Sequence, residues 1–276
     1  MAARLGVLIV HGMGSQTRER FDQSTDALIR SLERRVVENG ADAKAIAWQR
    51  AFWGDILQRN QEALLGKLGG LNWTSWRRFV INNLGDAVAY QRQPSQRKDF
   101  YFQIHDRIHE CLIGLRGQLG HGGLLVVMAH SLGSYIMSNY IWDRQQPNPA
   151  GDGYGATPFE RLETLASIIT FGSNIAVFSL ALDPYAGFEF PRKTLPPHIA
   201  DAARWLNFYD SDDVLGYPVK PLCPEYLANP RIEDRKINVG GWFSSWNPLS
   251  HNEYWADDDF IDPVARQLAA LLRLAA

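Results

Sequence analysis

A chain of 276 residues has room for one α/β domain with an insertion and is short for two full domains. Lys and Arg number 28 against 30 Asp and Glu, so the formal net charge is -2 and no basic surplus exists to hold nucleic acid. An apolar fraction of 46%, with 9 Trp, 10 Tyr and 13 Phe, supports a large buried core and excludes disorder as the default.

The first apolar run, Leu5 to Val10, is shorter than a signal-peptide core and lacks a following A-x-A pattern, so it reads as a strand. It ends at His11-Gly12-Met13-Gly14, a glycine-punctuated turn, and residues 22 to 38 then carry Leu28, Leu32 and Val36 at helical spacing. From Trp48 to Phe102 the character changes. Trp48, Phe52, Trp53, Trp73, Trp76 and Phe79 crowd a stretch with helical spacing, which predicts an inserted helical cap over 48–102. Leu124 to Met128 is wholly apolar and predicts a strand buried on both faces, followed by Ser131-Leu132-Gly133 and a helix through Trp142. Gln145 to Thr157, polar with Pro and Gly, reads as a surface loop.

Further strands are predicted over Ser167 to Phe171, Arg204 to Tyr209 and Lys236 to Val239, and a closing helix over Asp257 to Leu272. The three acids Asp257, Asp258 and Asp259 suit that helix's positive end. Strands alternating with helices, with polar residues just past the strand ends, predict a doubly wound, mostly parallel sheet. No stretch reaches the roughly 18 to 20 apolar residues of a membrane helix, and the expectation is a soluble, cytoplasmic protein without a transmembrane segment. Cys111 and Cys223 stand far apart with no CxxC or Cys/His cluster, which argues against a disulfide framework and a structural zinc site.

The feature that carries chemistry is LLVVMAHSLGS, a buried-type strand turning sharply into a helix at Ser131. A nucleophilic serine on such a turn needs small residues two before and two after it, because larger ones would strike the neighbouring strand and helix. Ala129 and Gly133 meet that demand. The turn after the first strand would place backbone N–H groups at the same sheet edge, so Met13 and Leu132 are the predicted oxyanion donors.

These residues resemble the α/β-hydrolase superfamily: V-x-I-V-H-G-M-G, then A-H-S-L-G, then an acid after a later strand, then a late histidine. The likeness is greatest to lipases and esterases, including those with Ala at the first elbow position, and it covers about Leu5 to Leu274. It implies a single α/β-hydrolase domain over 1–276. In this fold the triad follows the chain order Ser, acid, His, and of the 7 histidines only His251 follows the acidic cluster ending at Asp213. His251 is therefore the expected general base, His130 is expected to be structural, and His11 to brace the oxyanion loop.

Asp210, Asp212 and Asp213 all follow the strand ending at Tyr209. The resemblance matches Asp213-Val214-Leu215-Gly216 to the family's acid turn, leaving Asp210 and Asp212 as alternatives in what otherwise reads as a solvated turn. A calcium loop would need alternating oxygen ligands and a later glutamate, and no Walker loop or G-x-G-x-x-G occurs, so neither metal nor nucleotide cofactor is expected. Together the readings predict a serine hydrolase of carboxylic esters, with Trp73 and Trp76 of the cap touching an apolar, lipid-like substrate group. Thioesterase, amidase or acyltransferase chemistry on the same triad, and a non-catalytic binding protein of the same fold, are the alternatives.

Overall fold

The computed structural model describes residues 2–12, 17–56, 90, 100–146, 155–180, 185–239 and 254–275. Strands β1 (Ala3–Val10), β2 (Ile46–Ala51), β3 (Leu119–His130), β4 (Leu165–Phe171), β5 (Arg204–Asp210) and β6 (Ile232–Ile237) form a 6-stranded sheet in the order β2-β1-β3-β4-β5-β6. Each neighbouring pair is parallel. Apolar runs explain why: a parallel strand between helical layers is buried on both faces, and Val7 to Val10 of β1 and Leu125 to Ala129 of β3 are all fully buried. The chain therefore has the doubly wound α/β architecture expected of it.

Helices α1 (Arg18–Glu38), α2 (Phe100–Arg116), α3 (Leu132–Gln145) and α7 (Asp258–Leu274) are the long covering elements; α4 (Ile175–Ser179), α5 (Pro197–Ala202) and α6 (Pro224–Ala228) are short. Thr17 caps α1 by accepting the Arg20 N–H at 3.3 Å, and Phe21, Thr25, Leu28, Leu32 and Val36 form its buried stripe. Asp257 caps α7 through the Asp259 N–H at 2.8 Å, with Asp258 and Asp259 in the first turn where the helix dipole favours them. Helices α1 and α7 pack together, while α2 covers β1 and β2 and α3 covers β3 and β1.

The chain runs from β1 outward to β2, then returns to lay β3 on the other side of β1. That reversal is the topological switch point, the crevice where open α/β sheets bind ligands. Register puts the strand ends level: Val10 lies beside Ala51 and Ala129, His130 beside Phe171, and Phe171 beside Phe208. The residues just past these ends, 11–12, 52–53, 131, 172–174 and 211–213, consequently share one edge.

Three expectations shift. Trp48 to Ala51, assigned by aromatic spacing to the start of the cap, form the second half of β2, since a bulky residue suits a half-buried strand as well as a helix. Phe100 and Phe102, at the other end of that range, open α2. The last strand runs over Ile232–Ile237 rather than 236–239, because the charged run Glu233-Asp234-Arg235-Lys236 belongs to an edge strand whose charges find partners: Glu233 pairs with Arg235 at 2.7 Å, and Asp234 accepts the Val219 and Lys220 N–H groups. Residues 57–89 and 91–99 of the cap range, and 147–154 of the polar loop, lie outside the described residues.

Candidate active site

Ser131 stands between the last residue of β3 and the first of α3, with φ 51 and ψ -126, a backbone region that non-glycine residues seldom occupy. Such strain persists only where the surroundings over-determine it. Here the Ser131 N–H donates to the Phe171 carbonyl at 3.1 Å, its own carbonyl accepts from the Ser134 N–H at 2.9 Å, and Ser134 Oγ donates to the Ala129 carbonyl at 2.9 Å. Ser131 is 1% exposed, and its Oγ has no hydrogen-bond partner among the described residues.

The need for glycine beside the elbow shows in the geometry. A Cβ at Gly133 would lie 2.5 Å from the His11 carbonyl oxygen and 2.9 Å from that of Val10, both backbone atoms. A Cβ at Gly12 would lie 2.5 Å from Ser131 Cβ. The turn after β1 thus presses directly on the serine.

His11 is fully buried and both its ring nitrogens are used. Nε2 accepts the Trp53 N–H at 3.1 Å, which leaves the proton on Nδ1, donated to the Gly12 carbonyl at 2.6 Å. The Trp53 indole N–H donates back to the His11 carbonyl at 3.1 Å, and the two rings stack at 4.7 Å. Burial outweighs the Gly12 carbonyl and the Asp55 charge and lowers its pKa to about 4, so it is a neutral brace for this turn and not a base. His130 is buried among Phe171 and Trp255, with ring centroids at 5.0 and 5.4 Å.

The three aspartates separate cleanly. Asp213 is 5% exposed; its Oδ1 accepts the Leu215 N–H and its Oδ2 the Tyr254 hydroxyl, both at 2.9 Å. A Cβ at Gly216 would come within 2.7 Å of Asp213 Oδ2, so only glycine lets the chain fold that tightly around the carboxylate. Asp210 does not belong to a solvated turn as the sequence suggested. It is 2% exposed, and its oxygens accept the backbone N–H groups of Asp212 at 2.8 Å and Val239 at 2.7 Å, tying β5 to the end of β6. Asp212 is exposed.

Two residues that sequence reasoning passed over join the site. Tyr254 stands three residues after His251 in the chain. Asn174, buried two residues past Gly172, has its amide against the elbow, nitrogen 3.0 Å from the Ser131 carbonyl and oxygen 3.3 Å from the Leu132 N–H, the orientation its neighbours require. Ser131, Leu132 and Asp213 are therefore described at the C-terminal sheet edge. Met13, His251, Trp73 and Trp76 lie outside the described residues.

No family model matches the chain, and no curated protein matches it. A solved structure from Xanthomonas campestris pv. campestris, named as a candidate hydrolase of the alpha/beta superfamily, aligns over 98% of this chain and 99% of that one, with 14% identity and a TM-score of 0.42. A likeness that distant carries no argument about activity, and the architecture rests on the strand order and register.

Proposed function

We propose that the chain is a serine hydrolase acting on carboxylic esters through an acyl-enzyme. The observation that carries this reading is the elbow at the topological switch point. A serine held at positive φ, buried, and with no hydrogen-bond partner for its hydroxyl among the described residues is costly for folding alone, and its cost is understandable at a nucleophile.

In the proposed mechanism His251 takes the Ser131 proton, Oγ attacks the ester carbonyl, and the alcohol leaves after receiving that proton from His251. Water, deprotonated by the same imidazole, then hydrolyses the acyl-serine. The N–H groups of Leu132 and Met13 hold the oxyanion. The Leu132 N–H faces the Asn174 amide oxygen at 3.3 Å, long for a hydrogen bond, so a developing oxyanion would replace a weak partner with a charged one. Asp213, held by two donors, keeps the imidazole in the tautomer whose free nitrogen faces the serine. Apolar side chains of the cap, Trp73 and Trp76 among them, would receive the acyl or alcohol group.

A labelled fluorophosphonate tests the chemistry: wild-type protein is expected to label at Ser131, and Ser131→Ala and His251→Ala each to abolish labelling while the fold survives. Folded wild-type protein that neither labels nor turns over p-nitrophenyl esters refutes the enzyme reading. Parallel assays with acyl-CoA and amide substrates decide between ester, thioester and amide cleavage.

A further inference from the structure

Tyr254 is 0% exposed and its hydroxyl makes two hydrogen bonds of fixed direction. The Asp210 N–H, a donor only, gives to the phenol oxygen at 2.9 Å, so the phenol proton goes to Asp213 Oδ2, also at 2.9 Å. The hydroxyl is thereby clamped between the end of β5 and the carboxylate three residues on. Tyr254 also follows His251 by only three positions in the chain.

We propose that Tyr254 is a positioning residue for the acid of this site: its hydroxyl fixes the plane of the Asp213 carboxylate and ties the Asp213 turn to the end of β5. This rests on the serine-hydrolase reading above.

Three further facts support the assignment. The second carboxylate oxygen is pinned independently by the Leu215 N–H, so among the described residues a donor at 2.9 Å holds each carboxylate oxygen. Gly216 closes over the pair, since a Cβ there would sit 2.7 Å from Asp213 Oδ2 and 3.2 Å from the Tyr254 hydroxyl. Burial, and next the Asp213 charge, push the Tyr254 phenol far above its usual range, so it remains a donor at every working pH. Among the described residues the titratable groups facing it are Asp210 at the end of β5, Asp213 just past it, and His130 at the end of β3, whose ring centroid is 6.3 Å away.

Tyr254→Phe keeps the ring and removes only the hydroxyl. With one donor lost, the Asp213 carboxylate becomes more basic and holds the His251 imidazolium more tightly, so the acid limb of kcat/KM, which reports that imidazolium in the free enzyme, moves to higher pH. For p-nitrophenyl acetate the expected result is a rise of that limb by about half a pH unit. Turnover should fall roughly tenfold, with KM little changed, because a misplacement of about 1 Å costs up to 100-fold.

Gly216→Ala strains the same hydrogen bond from the other side without touching the ring, and is expected to move the limb in the same direction. If Tyr254→Phe loses only melting temperature, with rate and limb unchanged, Tyr254 merely packs and the proposal is overturned. If Tyr254→Phe does not fold, Gly216→Ala decides, and an unmoved limb there is equally fatal. An active wild type with unaffected variants sinks this inference alone; a wild type that neither turns over nor labels sinks the serine-hydrolase reading as well.

Discussion

Changing each of the three clustered aspartates to asparagine should separate, by turnover, the carboxylate the reaction needs from the one only the fold needs. Asp210 accepts two backbone N–H groups, Asp212 at 2.8 Å and Val239 at 2.7 Å, and neither donor can reverse its role. An amide offers one acceptor, so in Asp210→Asn one buried N–H must face an NH2 group. Hydrogen bonds to a charged acceptor are worth about 1.5 to 3 kcal/mol and a buried unsatisfied donor costs about 1 to 3 kcal/mol, so a loss of roughly 2 to 3 kcal/mol is expected. At about 2 to 4 °C per kcal/mol for a chain of this size, Tm falls by roughly 5 to 10 °C.

Asp213→Asn can keep its oxygen on the Leu215 N–H, but its NH2 then faces the Tyr254 hydroxyl, whose buried proton is left without its acceptor, so a loss of roughly 1 to 3 kcal/mol is expected here too. Its amide also favours the wrong imidazole tautomer, and turnover should drop by up to about 10⁴. Asp212→Asn, at an exposed position, should change stability by no more than about 0.5 kcal/mol and leave turnover intact. Urea unfolding with kcat/KM on a short p-nitrophenyl ester reads both axes. A folded Asp210→Asn without activity beside an active Asp213→Asn would refute the assignment of the acid and the reasoning from hydrogen-bond roles together.

The sequence made the β1, β3, β4 and β5 strands legible because β1, β3 and β4 carry short apolar runs imposed by burial on both faces and β5 ends in an acidic cluster. It hid β2 because Trp48 is only half-buried there, with its indole N–H reaching Glu33 at 3.0 Å, so the stretch shows neither alternation nor a continuous apolar run. It blurred β6 because an edge strand carries a charged run, Glu233 to Lys236, in place of an apolar one. At the site, the elbow could be read because its steric demand falls on immediate neighbours in the chain, Ala129 and Gly133. The role of Asp210 could not, since what distinguishes it from Asp212 is the Val239 N–H, 29 residues away. Asn174 and Tyr254 were likewise invisible, each acting through one hydrogen-bonding group on a segment brought near only by the sheet.

Gly133→Ala should lower stability by about 1 to 3 kcal/mol in urea, because its Cβ meets two carbonyl oxygens of the β1 end at 2.5 and 2.9 Å and neither can yield as a side chain would. His11 makes stability fall on acidification: its folded pKa of about 4 lies below the ordinary 6.5, so the unfolded chain binds the proton first, and about 3 kcal/mol present above pH 6.5 is lost as pH falls towards 4. His11→Gln should flatten that slope in denaturation measured from pH 4 to 7, whatever it does to absolute stability. Ser131→Gly isolates the strain at the elbow. Glycine adopts φ 51 and ψ -126 freely, whereas serine there carries a strain of order 1 to 3 kcal/mol. Part of that gain is offset by glycine's greater freedom in the unfolded chain, about 0.5 to 1 kcal/mol. A net rise in stability of about 1 kcal/mol, with labelling and turnover abolished, would mean that this chain gives up stability to hold a reactive hydroxyl. A Ser131→Gly protein less stable than wild type would mean that the serine stabilises its own turn, which removes the strain argument for its being the nucleophile.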